Sequence, residues 1–154
     1  ITDKVYDRAV VIDFSERKEA VTVTKKEPQI RLNKETLVSL FEDAVRNSPM
    51  AKRDYDKFAA LSSFMLDTFD VSFGNRIMNQ IQVFVPVYIA CGGTADKALD
   101  LMFARKVLRK LEGRFEENLK QNLTRLEKYV TAEYGKDAFS YTLAAIAKMK
   151  RRLI

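Results

Sequence analysis

A mainly α-helical bundle with one or two short β-strands at its N-terminus is the fold class this sequence predicts, on three observations. From Asn33 to the end, apolar residues recur at helical spacing in one segment after another. Caps and breakers stand between those segments, at Asn33, at Asn47-Ser48-Pro49, at Gly92-Gly93-Thr94 and at Gly113. Short β-branched runs occur only before residue 33. With 154 residues, 47% of them apolar, and only 5 glycines and 3 prolines, the chain has the make-up of one compact domain.

The elements follow in order. Ala9 to Phe14 reads as a short strand, and Ala20 to Thr24 alternates apolar and polar residues as a half-exposed strand does. Asn33 is the expected N-cap of a first helix carrying Leu37, Leu40, Phe41, Ala44 and Val45 on one side. Asp54 to Phe69, Phe73 to Cys91 and Thr94 to Leu111 are the next three helices, the last opened by a Thr cap and closed by Gly113. Leu119, Leu123, Leu126 and Val130 mark a further helix with a charged outer face, and Phe139, Leu143, Ile146 and Leu153 mark the closing one. Residues 1–32 thus form a mixed segment, and 33–154 an all-helical domain.

Composition excludes several kinds of chemistry. Histidine is absent, which removes Ser-His and Cys-His nucleophile pairs and His-ligated zinc, and no metal site is expected. Cys91, the single cysteine, cannot form an internal disulfide and lies in an apolar run where a buried thiol is expected, so a reducing, cytoplasmic setting is the default. The chain opens on Ile with no basic-then-apolar leader after it, so a secretory signal is not expected and a piece of a longer protein is. No phosphate loop is present, and the Glu116-Glu117 and Asp13/Glu16 pairs sit in charged contexts that read as solvated faces.

The apolar run Ile77 to Cys91 is too short for the roughly 20 residues a membrane span needs, and Asn79, Gln80, Gln82 and Pro86 interrupt it. No membrane partner is expected. At about 100° per residue, Asn75, Asn79, Gln82 and Pro86 form a wetter seam, while Ile77, Met78, Ile81, Phe84, Val85 and Tyr88 face a core. Arg76 and Gln80 border the seam beside Val83 and Val87. An arginine there lays its stem on apolar surface and keeps its guanidinium at the edge, facing a neighbouring cleft, a salt-bridge partner or solvent.

In a chain of formal charge +6, basic residues cluster at Arg105, Lys106, Arg109, Lys110 and Arg114 and again at Lys148, Lys150, Arg151 and Arg152. Both sit toward helix C-termini, where cations complement the dipole without any partner. Arg105 and Arg109, at i and i+4, share a face that could bind phosphate, though interleaved aromatics for single strands are missing.

Four stretches carry a resemblance. "ITDKVYDRAVVIDFS" is similar to the segment that follows the sensor 1 region in McrB-type AAA+ nucleoside triphosphatases, and "FGNRIMNQIQVFV" resembles that family's lid-helix signature, with Gln80 in place of the usual glutamate. "ALDLMFARKVLRKLEG" and "FSYTLAAIAKMKRRL" follow in the expected order, with Arg109 where proline is common. The resemblance implies that residues 1–32 end an αβα NTPase core and that 33–154 form its helical lid and C-terminal region.

It implies further that Arg8 is an arginine finger acting in trans and that Arg76 is a sensor 2-like residue, with Asn75 and Gln80 beside it at the nucleotide. ATP or GTP with Mg2+ would bind the full-length parent rather than this segment, which lacks the phosphate loop and should be inactive alone. Sister subunits of a homo-oligomeric ring would be partners, with an endonuclease subunit and DNA as further ones. Two other readings stay open. One is a non-enzymatic helical module binding nucleic acid through Arg105, Lys106, Arg109 and Lys110; the other is a protein-interaction bundle docking a partner through the Leu119 to Val130 helix.

Overall fold

The computed structural model describes residues 29–153 together with Val5, Arg8, Ala9, Glu19 and Thr22. Six α-helices lie among the described residues from 29 onward: α1 Lys34–Asn47, α2 Lys52–Phe69, α3 Asn75–Ala90, α4 Ala95–Met102, α5 Leu119–Tyr134 and α6 Ser140–Arg152. The protein is mainly helical, as the spacing of its apolar residues predicts. Apart from Ala9 and Thr22, the two expected strands lie outside the described residues, as does most of the mixed segment 1–32.

The caps form as chemistry dictates. Asn33 Oδ1 accepts from the Thr36 amide at 2.7 Å and Thr94 Oγ1 accepts from the Lys97 amide at 3.4 Å, satisfying first-turn donors of α1 and α4. Asp70 ends α2 in a left-handed conformation at φ 52°, its amide donating to the Leu66 carbonyl at 2.9 Å.

One helix departs from expectation. The segment from Thr94 to Leu111 is not a single α-helix: α4 stops at Met102, a π-turn covers Phe103–Val107 and a 3-10 turn covers Leu108–Leu111. Apolar periodicity constrains which side of a segment is buried far more than the hydrogen-bond ladder beneath it. Across this stretch Phe103, Val107 and Leu111 are all buried.

A continuous core joins α2 to α6. Its centre is a trio of rings from α2, the α2–α3 connection and the π-turn, with centroids of Phe58 and Phe73 5.2 Å apart and Phe103 6.3 and 6.2 Å from them, tilted or edge-on as ring quadrupoles prefer. α5 presents Leu119, Leu123, Leu126 and Val130 to this core, each burial contributing about 1.5–3 kcal/mol. The Phe64 and Tyr129 rings stack at 4.5 Å between α2 and α5, and Asn122 donates to the Thr68 carbonyl at 3.1 Å.

α6 is seated differently. Phe139, at its N-cap position, offers no side-chain acceptor, and Asp100 of α4 fills that role from a distance. The Asp100 carboxylate accepts from the Tyr141 and Thr142 amides, both at 2.8 Å, so one buried side chain caps α6 and fixes it against α4. Burial pushes this carboxyl above its ordinary pKa, against the lowering effect of the Thr142 and Tyr141 hydrogen bonds and of Lys97.

Two local expectations are corrected. Cys91 is exposed, because α3 ends at Ala90 and the chain turns out through Gly92 at φ 88° instead of carrying the thiol inward. Pro86 is buried rather than part of the wet seam, because α1 packs across α3; Asn75, Asn79 and Gln82 remain exposed. Among the described residues, no helix is long and apolar enough to cross a membrane.

Candidate functional site

α3 carries the candidate site. Arg76, Gln80, Val83 and Val87 recur at i, i+4, i+7 and i+11, so they align along one face of that helix. Phe41 of α1 stands across from this face, and Met102 and Lys106 close it from the α4 side. The result is an open cleft of about 870 Å³, within the range that accommodates organic ligands.

Arg8 lines the same cleft. It belongs to a helical turn in which the Ala9 amide donates to the Val5 carbonyl at 2.9 Å, and that turn presents its guanidinium beside residues of α3 almost seventy positions later. Neither Arg8 nor Arg76 has an ion-pair partner among the described residues, and both are exposed. Of the described lining residues, three are cations and none is acidic. Gln80 adds a further polar feature, since its Oε1 is buried with no hydrogen-bond partner.

Chemically, two exposed guanidinium forks above the apolar wall of Val83, Phe84 and Val87 suit a ligand with an anionic end and an apolar body. Asn75, at the first turn of α3, does not line the cleft although Asn79 does. Phe41 was not legible as part of the site, because its spacing on α1 reads equally well as ordinary core.

The first basic cluster divides between two faces. Lys106 and Lys110 are buried; Lys106 reaches the cleft, and Lys110 Nζ donates to the Ser72 carbonyl at 3.3 Å. Arg105 and Arg109 turn the other way, toward α6, and Arg109 holds Glu112 through contacts of 3.1 and 3.0 Å. The four do not share one surface, because adjacent residues on a helical segment point about 100° apart, while Arg105 and Arg109 keep the common face their spacing gives them.

A helical domain with a basic, apolar-backed cleft is therefore the class of protein that fold and site define. Residues 28–154 match the family described as Domain of unknown function (DUF8727), and the chain belongs to that family. No curated protein and no solved structure matches it.

Proposed function

We propose that this chain is the lid-containing C-terminal region of a ring-forming, McrB-like AAA+ nucleoside triphosphatase of the cytoplasm, and that the α1–α3 cleft receives the phosphate end of ATP or GTP held by the rest of the parent. The observation that supports this is the meeting of Arg8 and Arg76, the two residues the family resemblance singles out, on one cleft. A lid that contacts the terminal phosphate couples its own angle to hydrolysis, and so to movement between sister subunits.

The shared cleft favours a modified role for Arg8. An arginine acting in trans serves a neighbour's nucleotide, whereas Arg8 and Arg76 of one chain line one cleft. Arg8 is therefore read as a second phosphate ligand in cis, with Gln80 beside it and Asn75 outside the set. Mg2+ and the phosphate loop belong to the parent's core, and an endonuclease subunit or DNA to its assembly.

The test is turnover of the full-length protein. Arg76→Ala lowers NTP hydrolysis on the order of a hundredfold, the usual effect of removing one donor to a developing charge, while circular dichroism stays unchanged. Unaltered turnover in Arg76→Ala, or a parent gene with no phosphate loop upstream of Ile1, refutes the reading. Mixing subunits carrying Arg8→Ala with catalytically dead ones separates cis from trans action.

A further inference from the structure

The two basic clusters, almost forty positions apart in sequence, meet in a second pocket. Arg105 and Arg109 from the π- and 3-10 turns, and Lys148 and Arg152 from α6, line one groove of about 250 Å³ together with Glu112 and Tyr141. It shares no lining residue with the α1–α3 cleft.

The helix dipole does not account for this convergence. Lys150 and Arg151 also stand in the last turn of α6, yet Lys150 turns to α5 and pairs with Glu127 at 2.8 Å, and Arg151 is exposed. Lys148 and Arg152 instead face the groove opposite Arg105, and these three have no ion-pair or hydrogen-bond partner among the described residues. Arg109 shares its guanidinium with Glu112, the one carboxylate lining the groove, leaving a balance of four cations against one anion. Like charges held around one concavity repel, and an anion bound among them relieves that repulsion.

The groove is also rigidly built. Asp100 caps α6 and ties it to α4, so the two walls keep their spacing without a ligand. Ala104, Leu108 and Met149 lie between the cations, and Tyr141, largely exposed, marks the far end. Guanidinium forks match the oxygens of a phosphate, and the small volume suits one phosphate with a compact apolar group attached.

We infer that this groove is a binding site for a small phosphomonoester, its phosphate held by Arg105, Lys148 and Arg152 and its apolar part lying toward Tyr141. A lone aromatic argues against a single-stranded nucleic acid, which is bound along a track of stacking rings.

Calorimetric titration of the full chain with phenyl phosphate tests this, with inorganic phosphate and a short single-stranded oligonucleotide as separate arms. Expected is one-to-one saturation in the range of about 1 mM or tighter, competition by inorganic phosphate, and about tenfold weaker binding in the Arg105→Gln/Lys148→Gln double variant. Tyr141→Ala weakens phenyl phosphate but leaves inorganic phosphate unchanged. Arg152→Gln, on an exposed side chain, provides the same test should the double variant misfold. Arg76→Ala leaves this binding intact, which separates it from the NTPase reading. Absence of saturation, or full affinity in both cation variants, overturns the inference. So does oligonucleotide binding that the same cations support and phenyl phosphate cannot displace, which would give the groove to a nucleic-acid backbone.

Discussion

Helices α1 and α5 are both amphipathic, yet they have opposite fates. On α5, Leu123, Leu126 and Val130 are fully buried, whereas on α1 Leu37, Leu40 and Phe41 keep between 43% and 51% of their surface exposed. α5 is covered by α2 on one side and α6 on another; α1 packs mainly on α3 and contributes only Ala44 as a buried residue. Periodicity tells which side of a helix is apolar. It does not tell how much of that side a neighbour covers, and at α1 the uncovered part includes Phe41, a wall of the cleft.

The largest expected effect tests that contrast directly. Leu123→Ala removes a fully buried side chain and should cost about 2–5 kcal/mol in urea unfolding. Leu40→Ala, its counterpart on α1, should stay within about 0.5 kcal/mol. Comparable losses at both sites would mean that the α1 face is covered in solution.

The connections between helices come next. Gly93 lies against the Tyr88 ring, so a Cβ there would overlap the ring carbons, and Gly93→Ala should cost about 1–3 kcal/mol by forcing that ring aside. An unchanged melting temperature would show that Tyr88 moves freely.

Asp100→Asn should cost about 1–2 kcal/mol, because an amide has one acceptor oxygen where the carboxylate uses two. Its pH dependence carries the sign. Burial raises the folded pKa above the ordinary 3.8, so the titration contributes its stability in full below that value and loses it as pH rises through the raised one. The margin of wild type over Asp100→Asn should therefore be widest in acid and narrow upward, followed by urea unfolding across the acid range. A margin that widens with pH would mean that the Tyr141 and Thr142 amides outweigh burial.

The smallest effect is a gain. Asp70 occupies the left-handed region without being glycine, and Asp70→Gly should stabilise α2 by about 0.5–1 kcal/mol, seen as a raised melting temperature. No change would indicate that the flexibility gained by the unfolded chain cancels the relief.

Much of the molecule was legible from residue order, for local reasons. The Asn33 and Thr94 caps, the buried stripe of α5 and the border position of Arg76 beside Gln80, Val83 and Val87 all depend on residues within a few turns of each other. The break of the Thr94 to Leu111 segment into α-, π- and 3-10 turns was not legible, since Phe103, Val107 and Leu111 keep the same buried spacing in either form. Exposed Cys91 and buried Pro86 were misplaced because a helix end and a crossing helix decide them.

By itself, then, the sequence determined most of the helices, the Asn33 and Thr94 caps, the apolar faces and the lack of histidine chemistry, because hydrogen bonding and side-chain periodicity act over short separations. Only the tertiary structure decided that Arg8 and Arg76 line one cleft, that Lys106 parts from Arg105, that Asp100 caps a helix forty residues away and that Arg105 shares a groove with Lys148 and Arg152. Those pairings are set by which helix packs on which. Packing minimises exposed apolar area over the whole chain, and no single segment carries that information.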